Sequence, residues 1–288
     1  MGYCLWHLVR DAYQQLGQLQ VARATGGSAT TVVDSSLIHT GKEDDWKDGA
    51  VIVLEDAGGS GAAPEGEFAR VSGYAPGSGT LTIESLSAAV AEGDVYGLVT
   101  ADYPLGQMIT LANLALRKLG DLVLVDSTTL DTAGLKTEYA AAAAWKRRRP
   151  RRVDVQTRTG DADDHRWQTV YDWAFVPAAA GSSGLIVFRT QPSAGRDLRV
   201  WYEDLHPDVQ GYADLIHETI HPALACAALV ESALTWQVSR LEGENEFLVQ
   251  RLNDARVELE RLTQRHPIWK ASRQARMYLA GVGVTKRS

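Results

Sequence analysis

One stretch of the chain has the residue types and spacing of a metal site. In His217-Glu218-Thr219-Ile220-His221 the two imidazoles stand four positions apart. On an α-helix that interval puts both rings on one face, where they can hold zinc while the glutamate acts as general base. Glu246, with Glu242 and Glu244 beside it, lies downstream as a candidate third ligand. Such a site would make the chain a zinc metallopeptidase. Pro222 argues against it. It follows the second histidine directly, removes the hydrogen bond to the Glu218 carbonyl, and crowds the same turn with its ring. It also disfavours α geometry at His221. The alternative is a polar helix start around residues 214–221, with Pro222 near the first turn of a buried helix. Acidic residues at 242–246 would then stabilise the start of the next helix without any metal.

Other clusters carry weaker chemistry. Lys146, Arg147, Arg148, Arg149, Arg151 and Arg152 surround Pro150. They could contact phosphate, or an acidic protein surface such as residues 43–48. Without a wider basic face, a loop or protein contact is the preferred reading. Asp161, Asp163, Asp164 and His165 lack the downstream Gly and Glu of an EF-hand. Gly58-Gly59-Ser60-Gly61 is followed by no Gly-Lys-Ser/Thr, so it is no phosphate loop. No nucleophile elbow supports a Ser-His-Asp set. The chain is expected to be non-catalytic and to need no cofactor.

The elements that would position these residues can be read from periodicity. Leu5, Leu8, Val9, Ala12, Tyr13 and Leu16 keep helical spacing over residues 3–19, with Gly17 as a stop. After residue 20 come short β-like runs separated by Gly-rich turns: ATTVVDSSL, GAVIVLED, GEFARVSGY, GTLTIESL and DVYGLVT. They predict a small antiparallel barrel or sandwich over 21–102. Pro104, Met108, Leu111, Ala112, Ala115 and Leu119 mark a helix over 104–119. RRVDVQTR, WQTVYDWAFVP, GLIVFRT and DLRVWYEDL predict a second β module before residue 207, with tryptophans whose N–H groups need partners. From 208 the chain reads as helix to about 240, then as a second helix to about 265. That second helix carries a seam of Leu248, Leu252, Ala255, Leu259 and Leu262. Arg256–Glu260 and Glu258–Arg261 pairs would support its exposed face. Residues 267–288 read as a basic arm with apolar anchors. The fold class is thus α+β: a helical framework with a C-terminal antiparallel helix pair, plus small antiparallel β modules.

QQLGQLQV at 14–21 echoes RKLGDLVLV at 117–125: each is a helix closing on Leu-Gly before an extended segment. Duplication, insertion of a β module, or the commonness of Leu-Gly as a helix stop would each explain it.

Bulk composition bounds the class. The 288 residues are 45% hydrophobic and 23% charged, with a net charge of −7. The acidity is local: residues 1–100 hold 5 basic and 13 acidic side chains, against 14 of each over 101–210. An N-terminal module of that charge repels nucleic acid. Two distant cysteines, Cys4 and Cys226, make no disulfide framework. The start MGYCLWHLVRDAY has no basic n-region and carries Arg10 and Asp11, so no signal peptide is expected. Trp6 occupies the position a myristoylation motif gives to Ser or Thr. No apolar run reaches the roughly 18 residues of a membrane span.

The segment order from about 103 to 280 resembles head-to-tail adaptor (neck) proteins of tailed bacteriophages. The matching residues are Leu-Arg-Lys-Leu-Gly at 116–120, Arg152-Val153-Asp154-Val155-Gln156-Thr157, and Trp167 and Trp173 before a hairpin. Asp197-Leu198-Arg199-Val200-Trp201-Tyr202 and Ile220-His221-Pro222-Ala223 follow, the latter leading an Ala/Leu-rich helix. The β module at 20–100 looks like small β segments of phage virion proteins but is not part of a minimal adaptor. The resemblance implies a structural protein of the virion neck, made in the host bacterial cytoplasm. It implies a ring, commonly of twelve copies, between portal and tail or tail-terminator proteins. Genomic DNA would pass through the lumen without sequence-specific binding, and no membrane would be involved. The C-terminal helices and arm would dock on the portal, with Trp269, Arg273, Arg276, Met277, Tyr278 and Leu279 as docking residues.

Overall fold

The computed structural model describes residues 2–128, 130, 136–142, 145, 150–157, 167–177, 184–192, 195–241, 245–269, 277–278 and 285–286. These form four helices and three antiparallel sheets, apart from a two-residue pairing of Met277–Tyr278 with Thr285–Lys286. The chain divides into two compact units, 1–120 with 206–268 and 121–205 with 269–288. The expected segments 1–20, 21–102 and 208–266 therefore share one unit. The chain leaves that unit at 121, returns at 206, and leaves again at 269.

The helices of the first unit are α1 (Leu5–Gln15), α2 (Leu105–Lys118), α3 (Pro222–Arg240) and α4 (Glu246–Arg265). α3 is apolar on nearly every face and buries residues 224–230 without a break. A helix of that kind must be surrounded, and α1, α2 and α4 all pack on it. Its alanines let the neighbours approach closely. The seam of α4 faces α3: Leu252 and Leu262 are buried, and Leu248, Ala255 and Leu259 are half-buried. The Glu258–Arg261 pair forms, at 2.6 Å. Arg256 turns instead to Glu231 of α3, which also draws Lys118 of α2, each at 3.6 Å. Glu231 thus links three helices, whereas pairing with Glu260 would have served α4 alone.

Pro222 opens α3 at its first position. His221 caps the helix, its Nδ1 accepting from the Ala223 N–H at 3.2 Å. The helix expected from 208 therefore starts fourteen residues later, at Pro222. Within 208–221, residues 212–216 give backbone groups to the start of the chain instead. The first-turn N–H groups of α1, on Leu5 and Trp6, have no partner inside their own helix. They donate to the carbonyls of Asp214 and Tyr212 at 2.9 and 3.0 Å. Ile216 N–H in turn donates to Tyr3 O at 2.9 Å, and Cys4 bridges Leu215.

Between α1 and α2 run β1 (Gln20–Arg23), β2 (Gly26–Ser28), β3 (Thr31–Val33), β4 (Ala50–Glu55), β5 (Phe68–Ala75), β6 (Thr80–Ile83) and β7 (Val95–Val99). They make one sheet in the order β1-β7-β4-β5-β6-β3-β2. Its first and last strands are two halves of a single extended segment, interrupted only by Ala24 and Thr25. The chain itself therefore joins one side of the sheet to the other, around a core that includes Val32, Val51, Val71, Leu81, Tyr96 and Leu98. Asp34 is buried at this core and accepts from the Tyr96 hydroxyl at 2.7 Å.

The second unit contains β8 (Leu122–Asp126), β9 (Glu138–Ala140), β10 (Arg152–Gln156), β11 (Trp167–Val170), β12 (Trp173–Val176), β13 (Leu185–Phe188) and β14 (Leu198–Asp204). The orders are β11-β10-β14-β8 and β12-β13-β9. Val153, Leu198 and Val200 of the first sheet share one cluster with Tyr139, Ile186 and Phe188 of the second, with Trp145 fully buried among them.

The Leu-Gly echo has one geometry at both places. Leu16 and Leu119 cap α1 and α2, and Gly17 and Gly120 follow at φ 68° and 102°. Only glycine takes such angles without strain. Each glycine then feeds a strand, β1 in one case and β8 in the other.

Candidate functional site

Residues 217–221 are not helical, so the two imidazoles of the H-E-x-x-H segment do not share a helix face. Each ring has other work. His217 Nδ1 meets the Thr219 hydroxyl at 2.8 Å and accepts from its N–H at 3.3 Å. The ring of His221, besides capping α3, stacks on His266 at 3.8 Å and 12°. His206, which the sequence reading did not single out, is buried beneath the segment. Its Nε2 accepts from the His217 N–H at 3.0 Å while Nδ1 lies 2.6 Å from the Pro207 carbonyl. That pattern requires a neutral ring protonated on Nδ1. Burial lowers the pKa of His206 and, more simply, of His217. Desolvation, then the charges of His221 and Arg265, lower that of His266. Glu246 sits in the first turn of α4, exposed, next to the Asn245 cap. Glu242 and Glu244 lie outside the described residues. Among the described residues no three His, Cys, Asp or Glu side chains are placed to hold a metal ion.

A denser constellation occupies one face of the four-stranded sheet. Side chains alternate across a strand, so Val153, Leu198 and Val200 enter the core while Arg152, Asp154, Arg199 and Trp201 share the opposite face. The register sets Asp154 opposite both Thr169 and Arg199. Its side chain is fully covered. It accepts from Arg152 Nε at 2.5 Å, Trp201 Nε1 at 2.8 Å, Arg199 Nε at 3.0 Å and the Thr169 hydroxyl at 3.0 Å. Burial alone would raise its pKa. The four donors outweigh that and hold the carboxyl below the usual range. The Arg199 guanidinium lies 4.3 Å from the Trp167 ring and 5.0 Å from the Trp201 ring, sharing two aromatic faces. Trp269, in the C-terminal arm, sets its ring against Trp201 at 5.8 Å and stays 54% exposed.

Of the basic run, Arg151 pairs with buried Glu203 and Arg152 with Asp154, so both are engaged inside the chain. Lys146, Arg147, Arg148 and Arg149 lie outside the described residues. So do Asp161, Asp163, Asp164, His165, Arg273, Arg276 and Leu279. For Met277 and Tyr278 the backbone pairing alone is described. No helix among the described residues is long and apolar enough to cross a membrane. Comparison with protein-family models, curated proteins and solved structures finds no match to this chain.

Sequence reasoning marked the tryptophans but did not bring them together. Strand alternation put Asp154, Arg199 and Trp201 on the outer face. Their convergence depends on the pairing of strands more than forty residues apart.

Proposed function

We propose that the chain is a non-catalytic structural subunit that assembles through its C-terminal third, and that the assembly is the neck of a tailed-phage virion. In this reading the sheet closed by segment 20–28 is a small barrel and the two sheets of the second unit are a sandwich. The observation that carries it is on α4. This otherwise charged helix leaves Phe247 69% and Val257 68% exposed. Isolated exposed apolar side chains are ordinary, but large ones gathered on one terminal element mark a partner surface. The segment order resembling neck proteins supplies the particular assembly: a ring between portal and tail, with DNA in its lumen.

Light scattering with electron microscopy tests the reading. The expected result is a closed ring, reduced to smaller species by Phe247→Asp with Val257→Asp. A strict monomer at tens of micromolar that is also missing from purified particles would overturn it.

A further inference from the structure

The two thiols of the chain sit in opposite surroundings. Cys226 lies inside α3 at 2% exposure. Burial, with a smaller contribution from the Asp11 charge, pushes its pKa up to about 12. Cys4 caps the N-terminus of α1 and is partly exposed. Its Sγ lies 3.0 Å from Nδ1 of His7. The Cys4 backbone N–H also approaches that nitrogen, at 3.4 Å. This contact favours the tautomer with its proton on Nε2, leaving the basic nitrogen beside the sulfur. The imidazole is fixed between Tyr3, stacked at 5.6 Å, and the edge of Trp6, at 4.4 Å. Desolvation and the nearby Arg10 charge, opposed by Asp11, lower the pKa of His7, so the ring is neutral and proton-accepting at neutral pH.

The pair opens on a cavity of about 820 Å³ whose wall includes Trp6, Arg10, Glu55 and Glu65. Trp6 is 7% exposed, and its indole N–H has no acceptor among the described residues. Buried donors are normally satisfied, so an occupant bearing an acceptor completes the site. One guanidinium and three carboxylates, those of Glu55, Asp56 and Glu65, line the wall and suit an occupant with both ammonium and carboxylate groups.

We propose that Cys4 and His7 form a thiol–disulfide exchange site that takes a small, zwitterionic, peptide-like disulfide in this cavity. His7 Nδ1 accepts the thiol proton, and the Cys4 thiolate attacks one sulfur of the disulfide. The new Cys4–S–S–R bond forms as the old S–S bond breaks. The other half leaves as a thiolate and takes the proton back from His7. One thiol compound is released for each chain modified, and no further oxidant is needed. The site stands independently of the assembly reading.

Incubation of the full chain with oxidised glutathione at pH 7, followed by intact and peptide mass, tests the proposal. One adduct per chain is expected, on Cys4, forming about ten times faster or more than in the urea-unfolded chain. Cys226 should stay unmodified while the chain is folded, and dithiothreitol should restore the original mass. His7→Gln, with circular dichroism as a check on folding, should slow the reaction about ten-fold or more, with iodoacetamide as well as with glutathione disulfide. Equal rates for folded and unfolded chain would overturn the proposal, and so would a folded His7→Gln chain that reacts at the original rate. If that variant does not fold, the comparison of folded with unfolded unsubstituted chain decides alone.

Discussion

Asp154 keeps a full negative charge at neutral pH although its side chain is wholly covered. Two guanidiniums, an indole and a hydroxyl make this tolerable. Asp154→Asn keeps the shape but turns an acceptor into a partial donor facing cations. It should cost about 3–5 kcal/mol, the usual penalty for breaking a buried ion pair, read as a lower urea midpoint at pH 7. The depressed folded pKa fixes the sign. The contribution is complete above the unfolded value near ~3.9 and is lost as pH falls through the lower folded value. The two proteins should therefore converge in stability as pH falls through that lower value. His206 works in a higher window. Its folded pKa is also depressed, so its contribution is complete above about 6.5 and is lost as pH falls below that. Protonation removes the Nε2 lone pair that accepts the His217 N–H. Thermal melts between about pH 7.5 and 5.5 should show a decline that is shallower in His206→Gln.

At the scale of elements, α3 is the helix on which the framework depends, and its start is a testable cap. His221→Ala should destabilise by about 0.5–2 kcal/mol, the usual cost of a lost N-cap. His221→Ser should recover most of that, because serine restores the acceptor for Ala223 N–H but not the stack on His266. Equal losses in both would assign the effect to the stack. The entrance at Pro222 was legible in the sequence because proline acts on its own turn. So were the stops at Gly17 and Gly120, and the seam of α4, all written within a few residues. The course of 208–221 was not legible, since residues 212–216 bond to residues 3–6, some two hundred positions away, and Val209 bonds to Asn113. Strands β2 and β9 were missed for want of a run: Gly26-Gly27-Ser28 offers no alternating apolar pattern. The Cys4–His7 pair is visible as a three-residue spacing at a helix start, but nothing local to the sequence reports the cavity beside it.

At the scale of the whole molecule, both β modules leave and rejoin the helical framework through neighbouring strands. Gln20 pairs with Leu98, and Leu122 with Asp204. Partners in an antiparallel ladder lie about 5 Å apart, so replacing 122–204 by a short Gly-Ser linker should leave the first unit folded. A cooperative helical melt of that deletion variant is the expected outcome; a chain without a melting transition would show that the first unit depends on the second. The two modules differ in how they end sideways. In the seven-stranded sheet the two terminal strands, β1 and β2, belong to the one segment 20–28. In the second unit β8, β9, β11 and β12 each have a described strand neighbour on one side only. Val125 on β8 and Val176 on β12 are each 45% exposed, and Tyr171, just before β12, is 55% exposed. Sticky side chains beside open strands invite pairing with a foreign strand. If this protein aggregates, or accepts a β-strand from a partner, the event should begin in the second unit and leave the N-terminal module intact.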